Sequence, residues 1–123
     1  MGHSILVVED DDDAREAIVA ILRLTGYQAV PAADGEEALD RLHNLALPDL
    51  ILLDLWMPVM DGWQFREEQR KDPTLARIPV VVVTALGAQA TIDADEIITK
   101  PVDAERLLAT VRNYCSPEPK TVT

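Results

Sequence analysis

One cysteine, Cys115, is all the thiol chemistry this chain has, which excludes an internal disulfide. Its two histidines, His3 and His43, stand apart, and no His or Cys cluster has the spacing of a zinc site. Positive charge is scarce: 11 Lys and Arg face 22 Asp and Glu, a formal net charge of -11. A phosphate backbone repels such a chain, so direct nucleic acid binding is not expected of it. Long apolar runs are missing too. None approaches the roughly 20 residues that span a bilayer. Met1 to Ser4 leads into a strand-like segment without a basic region or a cleavage site. A cytoplasmic location without membrane contact is the expectation.

What is present is enough for one core. Of the 123 residues, 48% are hydrophobic, which fits a single domain, here assigned to residues 1–115. Residues 116–123, with Pro117 and Pro119, read as a tail or linker stub. Four short apolar runs each end in polar residues: Ile5 to Val8 before Glu9 and Asp10, Leu50 to Leu53 before Asp54, Val80 to Val83 before Thr84, and Ile97 and Ile98 before Thr99 and Lys100. Apolar runs without alternation predict strands buried on both faces, as in a parallel sheet covered by helices. Tyr27 to Ala32 is a weaker fifth strand, and Pro31 suits an edge position.

Helical patterns fill the gaps. Ala14, Ile18, Ile21, Leu22 and Thr25 share one face, with Gly26 where a terminating glycine belongs. Asp34 and Glu37 read as a capping box for a second helix whose stripe includes Ala38, Leu39, Leu42 and Leu45, ended by Pro48. Gly62 to Lys71 is a third, stopped by Asp72 and Pro73. Asp103 opens a last one carrying Leu107, Leu108, Val111 and Tyr114 inward. Alternating strands and helices predict a doubly wound α/β sheet, with its site beyond the carboxyl ends of the strands. Glu9, Asp10, Asp54, Thr84 and Lys100 therefore converge at one edge.

Three clustered carboxylates repel one another, so Glu9, Asp10 and Asp54 stay ionised together only around a cation. An all-oxygen site with few protein ligands suits magnesium, and manganese is an acceptable substitute. A carboxylate can attack phosphorus once a metal and a positive side chain neutralise the transferred oxygens. Lys100 is placed for the second task, and the Thr84 hydroxyl for a hydrogen bond to the group transferred.

The segments "ILVVEDD", "LILLDLWMPVMDGW", "VVVVTA" and "ITKP" resemble, in order and context, the receiver domains of response regulators, over nearly the whole folded chain. The resemblance implies a flavodoxin-like sheet of five parallel strands in the order 2-1-3-4-5. It implies a phosphoacceptor at Asp54, an acidic pair at Glu9 and Asp10, a backbone carbonyl of Trp56 as a further magnesium ligand, a switch hydroxyl at Thr84 and a phosphate contact at Lys100. It implies a loop shaped by Pro58, Asp61 and Gly62, a cis Lys100–Pro101 bond, and a sensor histidine kinase or histidine phosphotransfer domain as the phosphoryl donor, docking near the first helix.

This chain departs from the pattern in three places. Thr84 and Lys100 are sixteen positions apart, so the helix between the fourth and fifth strands is expected to be short or replaced by a loop over "LGAQATIDADE". Ile97 stands where many members carry a switching aromatic. Trp56 and Leu86, each two residues beyond a site residue, are large and apolar where the family flanks the hydrolytic water, which implies a slowly hydrolysing phosphoform. Blander readings accompany each feature. Asp11, Asp12 and Asp13 suit a solvated helix entry, Thr84 suits strand packing, and Trp63 is assignable to core or interface. His3 and His43 are expected at surface or packing positions. Two other functions use the same residues: a magnesium-dependent phosphatase with an aspartyl nucleophile, which lacks a general acid at the Trp56 position, and a receiver-like module that binds without phosphorylation.

Overall fold

The computed structural model describes residues 3–86 and 89–115; the assigned tail at 116–123 lies outside them. The elements are β1 (Ser4–Val8), α1 (Asp12–Leu24), β2 (Gln28–Ala32), α2 (Gly35–Asn44), β3 (Leu50–Leu53), α3 (Gly62–Lys71), the one-turn α4 (Pro73–Ala76), β4 (Val80–Thr84), β5 (Glu96–Thr99) and α5 (Ala104–Tyr114). All strand pairs are parallel, in the order β2-β1-β3-β4-β5.

The apolar runs are continuous because each strand feeds two cores. Successive side chains of a strand point to opposite faces. Ile5, Val7, Leu50, Leu52, Val81 and Val83 pack under α1 and α5, whereas Leu6, Val8, Ile51, Leu53, Val80 and Val82 pack under α2, α3 and α4. Fully burying each such side chain stabilises the fold by roughly 1.5–3 kcal/mol. An aspartate N-cap starts every described helix: Asp11, Asp34, Asp61, Asp72 and Asp103 accept from main-chain N–H groups of the first turn. Much of the acid excess thus complements helix N-termini. Gly26, at φ 103°, follows the α1 cap in the left-handed region where glycine is favoured.

Several local expectations are revised. Asp72 and Pro73, read as a stop, also begin α4, with Asp72 as its cap and proline in its first turn. The capping box expected of Asp34 and Glu37 is half formed: Asp34 accepts from Glu37 N, but the Glu37 carboxylate takes Ala33 N instead. The reciprocal box belongs to Asp61 and Gln64. Leu45, assigned to the α2 stripe, lies past the helix end and is exposed, and Thr25 caps α1 as an exposed residue.

Strand β2 is an edge, as Pro31 requires, and its outer side is covered. Residues 29 and 31 face away from β1, and their carbonyls accept from Arg23 Nη2 at 2.9 Å and Arg41 Nε at 3.2 Å. Between β4 and β5 the described residues 85–86 and 89–95 contain no α-helix. Leu86, Ala90, Ile92 and Ala94 pack on the core, and α3 holds the segment from outside. Trp63 Nε1 donates to Thr91 O at 3.1 Å, Arg66 Nε to Asp93 O at 2.7 Å, and Arg70 pairs with the Asp93 carboxylate at 3.2 Å. Trp63, undecided from sequence, is thus a strut for this segment. No described helix is long and apolar enough to cross a membrane.

Candidate functional site

The strand order reverses around β1 and β3, because β1 pairs with β2 on one side and β3 on the other. Such a switch point opens a crevice at the carboxyl ends of the strands. Glu9 and Asp54 each stand one residue beyond a strand and remain tied to the neighbouring one, Glu9 N to Ala32 O and Asp54 N to Val8 O, both at 3.0 Å. Lys100 N likewise donates to Thr84 O at 2.9 Å. Main-chain hydrogen bonding therefore carries these side chains into the crevice.

Carboxylate oxygens of Glu9, Asp10 and Asp54 lie within 4.8 Å of one another. Glu9 and Asp54 are buried, at 3% and 7% exposure, while Asp10 opens to solvent. The Lys100 ammonium donates to Glu9 Oε1 at 2.7 Å and stands 3.6 Å from Asp54 Oδ2. Asp54 Oδ1 accepts from Leu55 N at 2.9 Å, and Glu9 Oε2 from Asp11 N at 3.2 Å. Burial first, and then the Glu9 charge, push the Asp54 carboxyl up from 3.8 to about 6 against the pull of Lys100. Burial works to lower the Lys100 pKa, but its hydrogen bond to Glu9 and the charges of Asp54 and Glu9 outweigh that and raise it.

The loop after Asp54 is set by close approaches. A Cβ on Gly62 would meet Asp54 O at 2.7 Å and Leu55 Cα at 2.8 Å, so only glycine lets α3 start this near the end of β3. Gly62 N closes the turn on Leu55 O at 2.9 Å. Val59 has φ 67°, an uncommon state for a β-branched residue, in a tight turn with Met60 N donating to Pro58 O at 2.7 Å. Trp56 projects from this loop with 59% of its surface exposed and meets Trp63 edge-on, ring centroids 5.0 Å apart. The Lys100–Pro101 bond is cis.

The structure thus brings Glu9, Asp10, Asp54 and Lys100 together. Thr84 ends β4 at the same edge, yet it is fully buried and its Oγ1 accepts from Leu86 N at 3.3 Å. His3 and His43 lie elsewhere: His3 Nδ1 is 3.5 Å from Asp49, and His43 is on exposed α2 surface. Arg15, which is not among the residues expected from the sequence, also belongs here: its guanidinium reaches the main chain of Glu9. The signal was an arginine in the first turn of a helix that opens on aspartates.

Comparison with known proteins agrees with this geometry. The response regulator receiver domain family matches residues 5–112. A probable transcriptional regulator, ycf27, of Guillardia theta is 36% identical over 116 residues, 89% of this chain and 44% of the relative. The chain spans about half the length of the curated relatives it matches. The signal receiver domain of a histidine kinase from Syntrophus aciditrophicus superposes with TM-score 0.84 at 34% identity, covering 99% of this chain and 96% of that one. The receiver domain of a Pseudomonas aeruginosa sensor histidine kinase, with magnesium coordinated in its active site cleft, gives TM-score 0.82 at 30% identity, covering 93% and 98%. With the sheet order, the acidic crevice and the family match in agreement, the chain belongs to the receiver domains of response regulators, the phosphorylation-controlled modules of two-component signalling.

Proposed function

We propose that Asp54 is the phosphoacceptor, that Glu9, Asp10 and Asp54 with the Trp56 carbonyl hold a magnesium ion, and that the donor is a phosphohistidine on a sensor kinase or phosphotransfer domain. One observation carries this: among the described residues three carboxylates converge with a single ammonium, and that ammonium already touches two of them. If all three are ionised, one positive charge leaves an excess that a divalent cation balances, and their hard oxygen donors fit magnesium. Manganese, with the same donor preference, is the substitute. A bound magnesium supplies charge neutralisation for the phosphoryl oxygens and keeps Asp54 ionised.

The remaining chemistry belongs to the side chains. Asp54 Oδ2, free of the Leu55 hydrogen bond, attacks phosphorus; the new P–O bond forms as the P–N bond to imidazole breaks, and the electron pair leaves on the ring nitrogen. Lys100, 3.6 Å from Asp54, swings from Glu9 to the transferred oxygens and offsets their charge. The Thr84 hydroxyl oxygen accepts from Leu86 N and keeps its own proton to donate to a phosphoryl oxygen, so acquisition of the group is felt at residues 84–86. Ile97 offers no aromatic for a rotamer switch, so the readout does not use one. A groove of about 550 Å³ beside Lys100, lined by Ala14, Ala17, Ile18, Ile21, Pro101 and Leu107 among others, receives the donor against α1. As a receiver the chain catalyses only its own phosphorylation and dephosphorylation, in the cytoplasm, and its output partner contacts this domain without nucleic acid.

Incubation with magnesium and acetyl phosphate or phosphoramidate, followed by intact mass, tests the reading. One added phosphoryl group is expected, lost in Asp54→Asn and in chelator; labelling that survives either change refutes it. Trp56 and Leu86 shield the acyl phosphate from water, so Trp56→Asn shortens its half-life once donor is removed. An unchanged half-life counts against the shielding.

A further inference from the structure

Arg15 has no part in the chemistry above, yet its side chain is 16% exposed and bonded on several sides. Nη1 donates to Glu9 O at 2.8 Å and lies 3.5 Å from Asp10 O, while Nη2 pairs with the Asp12 carboxylate. A helix-surface arginine serving only an i,i+3 ion pair would need Asp12 alone. This one reaches back six residues to the main chain of two adjacent acids. Besides the tie of Glu9 N to Ala32 O and the Asp11 cap on Ala14 N, the turn between them is held by the Glu9 carboxylate, which binds Asp11 N and Lys100. Those are the contacts a cation displaces when it takes that carboxylate, whereas the Arg15 bonds to the carbonyls persist.

We infer that Arg15 is a positioning residue for metal binding: its guanidinium clamps the Glu9 and Asp10 carbonyls and so holds their carboxylates in convergence with Asp54. This rests on the magnesium reading of the site. Coulomb attraction alone predicts the opposite sign, because Arg15 is a positive charge beside a cation site and its removal should tighten binding. A clamp predicts weakening, on the order of tenfold or more, as for outer-sphere groups that orient metal ligands. Lysine keeps the charge and loses the planar fork, so it restores binding only in part.

The experiment titrates magnesium into chelator-treated protein by calorimetry and tryptophan fluorescence, with urea melts of the metal-free forms as folding control. Wild type, Arg15→Ala, Arg15→Lys and Asp12→Asn are compared. Expected is weaker binding in Arg15→Ala, an intermediate value in Arg15→Lys, and Asp12→Asn within about twofold of wild type, since it loses only an exposed pair. If Arg15→Ala does not fold, Arg15→Lys carries the test in the same direction. Equal or tighter binding in the arginine variants overturns the inference, as does a loss in Asp12→Asn as large as theirs. A wild type that binds no magnesium refutes the site reading itself and this inference with it.

Discussion

With magnesium chelated, Asp54 is a buried carboxylate beside the Glu9 carboxylate, and Lys100 at 3.6 Å only partly offsets both. Its pKa stands near 6 instead of 3.8. Between those values the folded chain binds the proton more tightly than the unfolded one, so stability falls as pH rises through that window and stays lowered above it. At 1.36 kcal/mol per pH unit, the ionised group costs the fold at most about 3 kcal/mol at neutral pH, less what solvent entering at the Asp10 side screens. Asn in its place keeps an oxygen for Leu55 N and sheds the charge, although the attraction to Lys100 goes with it. Asp54→Asn is therefore expected to gain about 1–3 kcal/mol at pH ~7.5 in chelator, a rise of about 1 M in the urea midpoint. Melts followed by circular dichroism at pH ~7.5 and ~4.5 check this. The advantage should shrink at the lower pH, where the wild-type carboxyl is protonated, and shrink again when magnesium stabilises the wild type by mass action. An asparagine variant no more stable than wild type at the higher pH, or equally advantaged at both, would refute the reasoning.

Gly62→Ala drives a methyl to 2.7 Å from Asp54 O; a loss of about 2 kcal/mol in urea melts and weaker magnesium binding by calorimetry are expected from the displaced main chain. Val59, at φ 67° and 72% exposed, gives up little burial when replaced, so Val59→Gly should raise stability by about 1 kcal/mol in the same melts. Trp63→Phe keeps a ring against Trp56 but loses the bond to Thr91 O. It should cost about 1 kcal/mol and speed hydrogen exchange over residues 89–95 more than in the strands.

The strands were legible because three of them are buried on both faces, so Ile5 to Val8, Leu50 to Leu53 and Val80 to Val83 could not alternate. Glu9, Asp54 and Lys100 were legible as polar groups standing where such runs stop, at the one edge where a parallel sheet gathers them. What escaped depends on partners far along the chain or on the backbone. Pro73 reads equally as the end of one helix and the first turn of another. The hold of α3 on the segment before β5 joins residues 28 and 27 positions apart, which no local periodicity records. Arg15 acts on carbonyls, and carbonyls are the same at every position of a sequence.

The outer side of β2 has a consequence for the protein in a crowded solution. A strand adding there needs alternate donors and acceptors, and the carbonyls of Ala29 and Pro31 are already engaged by Arg23 and Arg41. Pro31 contributes no N–H, so the N–H of Ala29 stands alone on that side and a second chain finds no ladder to extend. The two arginines place positive charge at the same margin. Runaway sheet stacking is thereby blocked at one end of the sheet, and the hazard of intermolecular pairing falls on β5, a strand of only four residues.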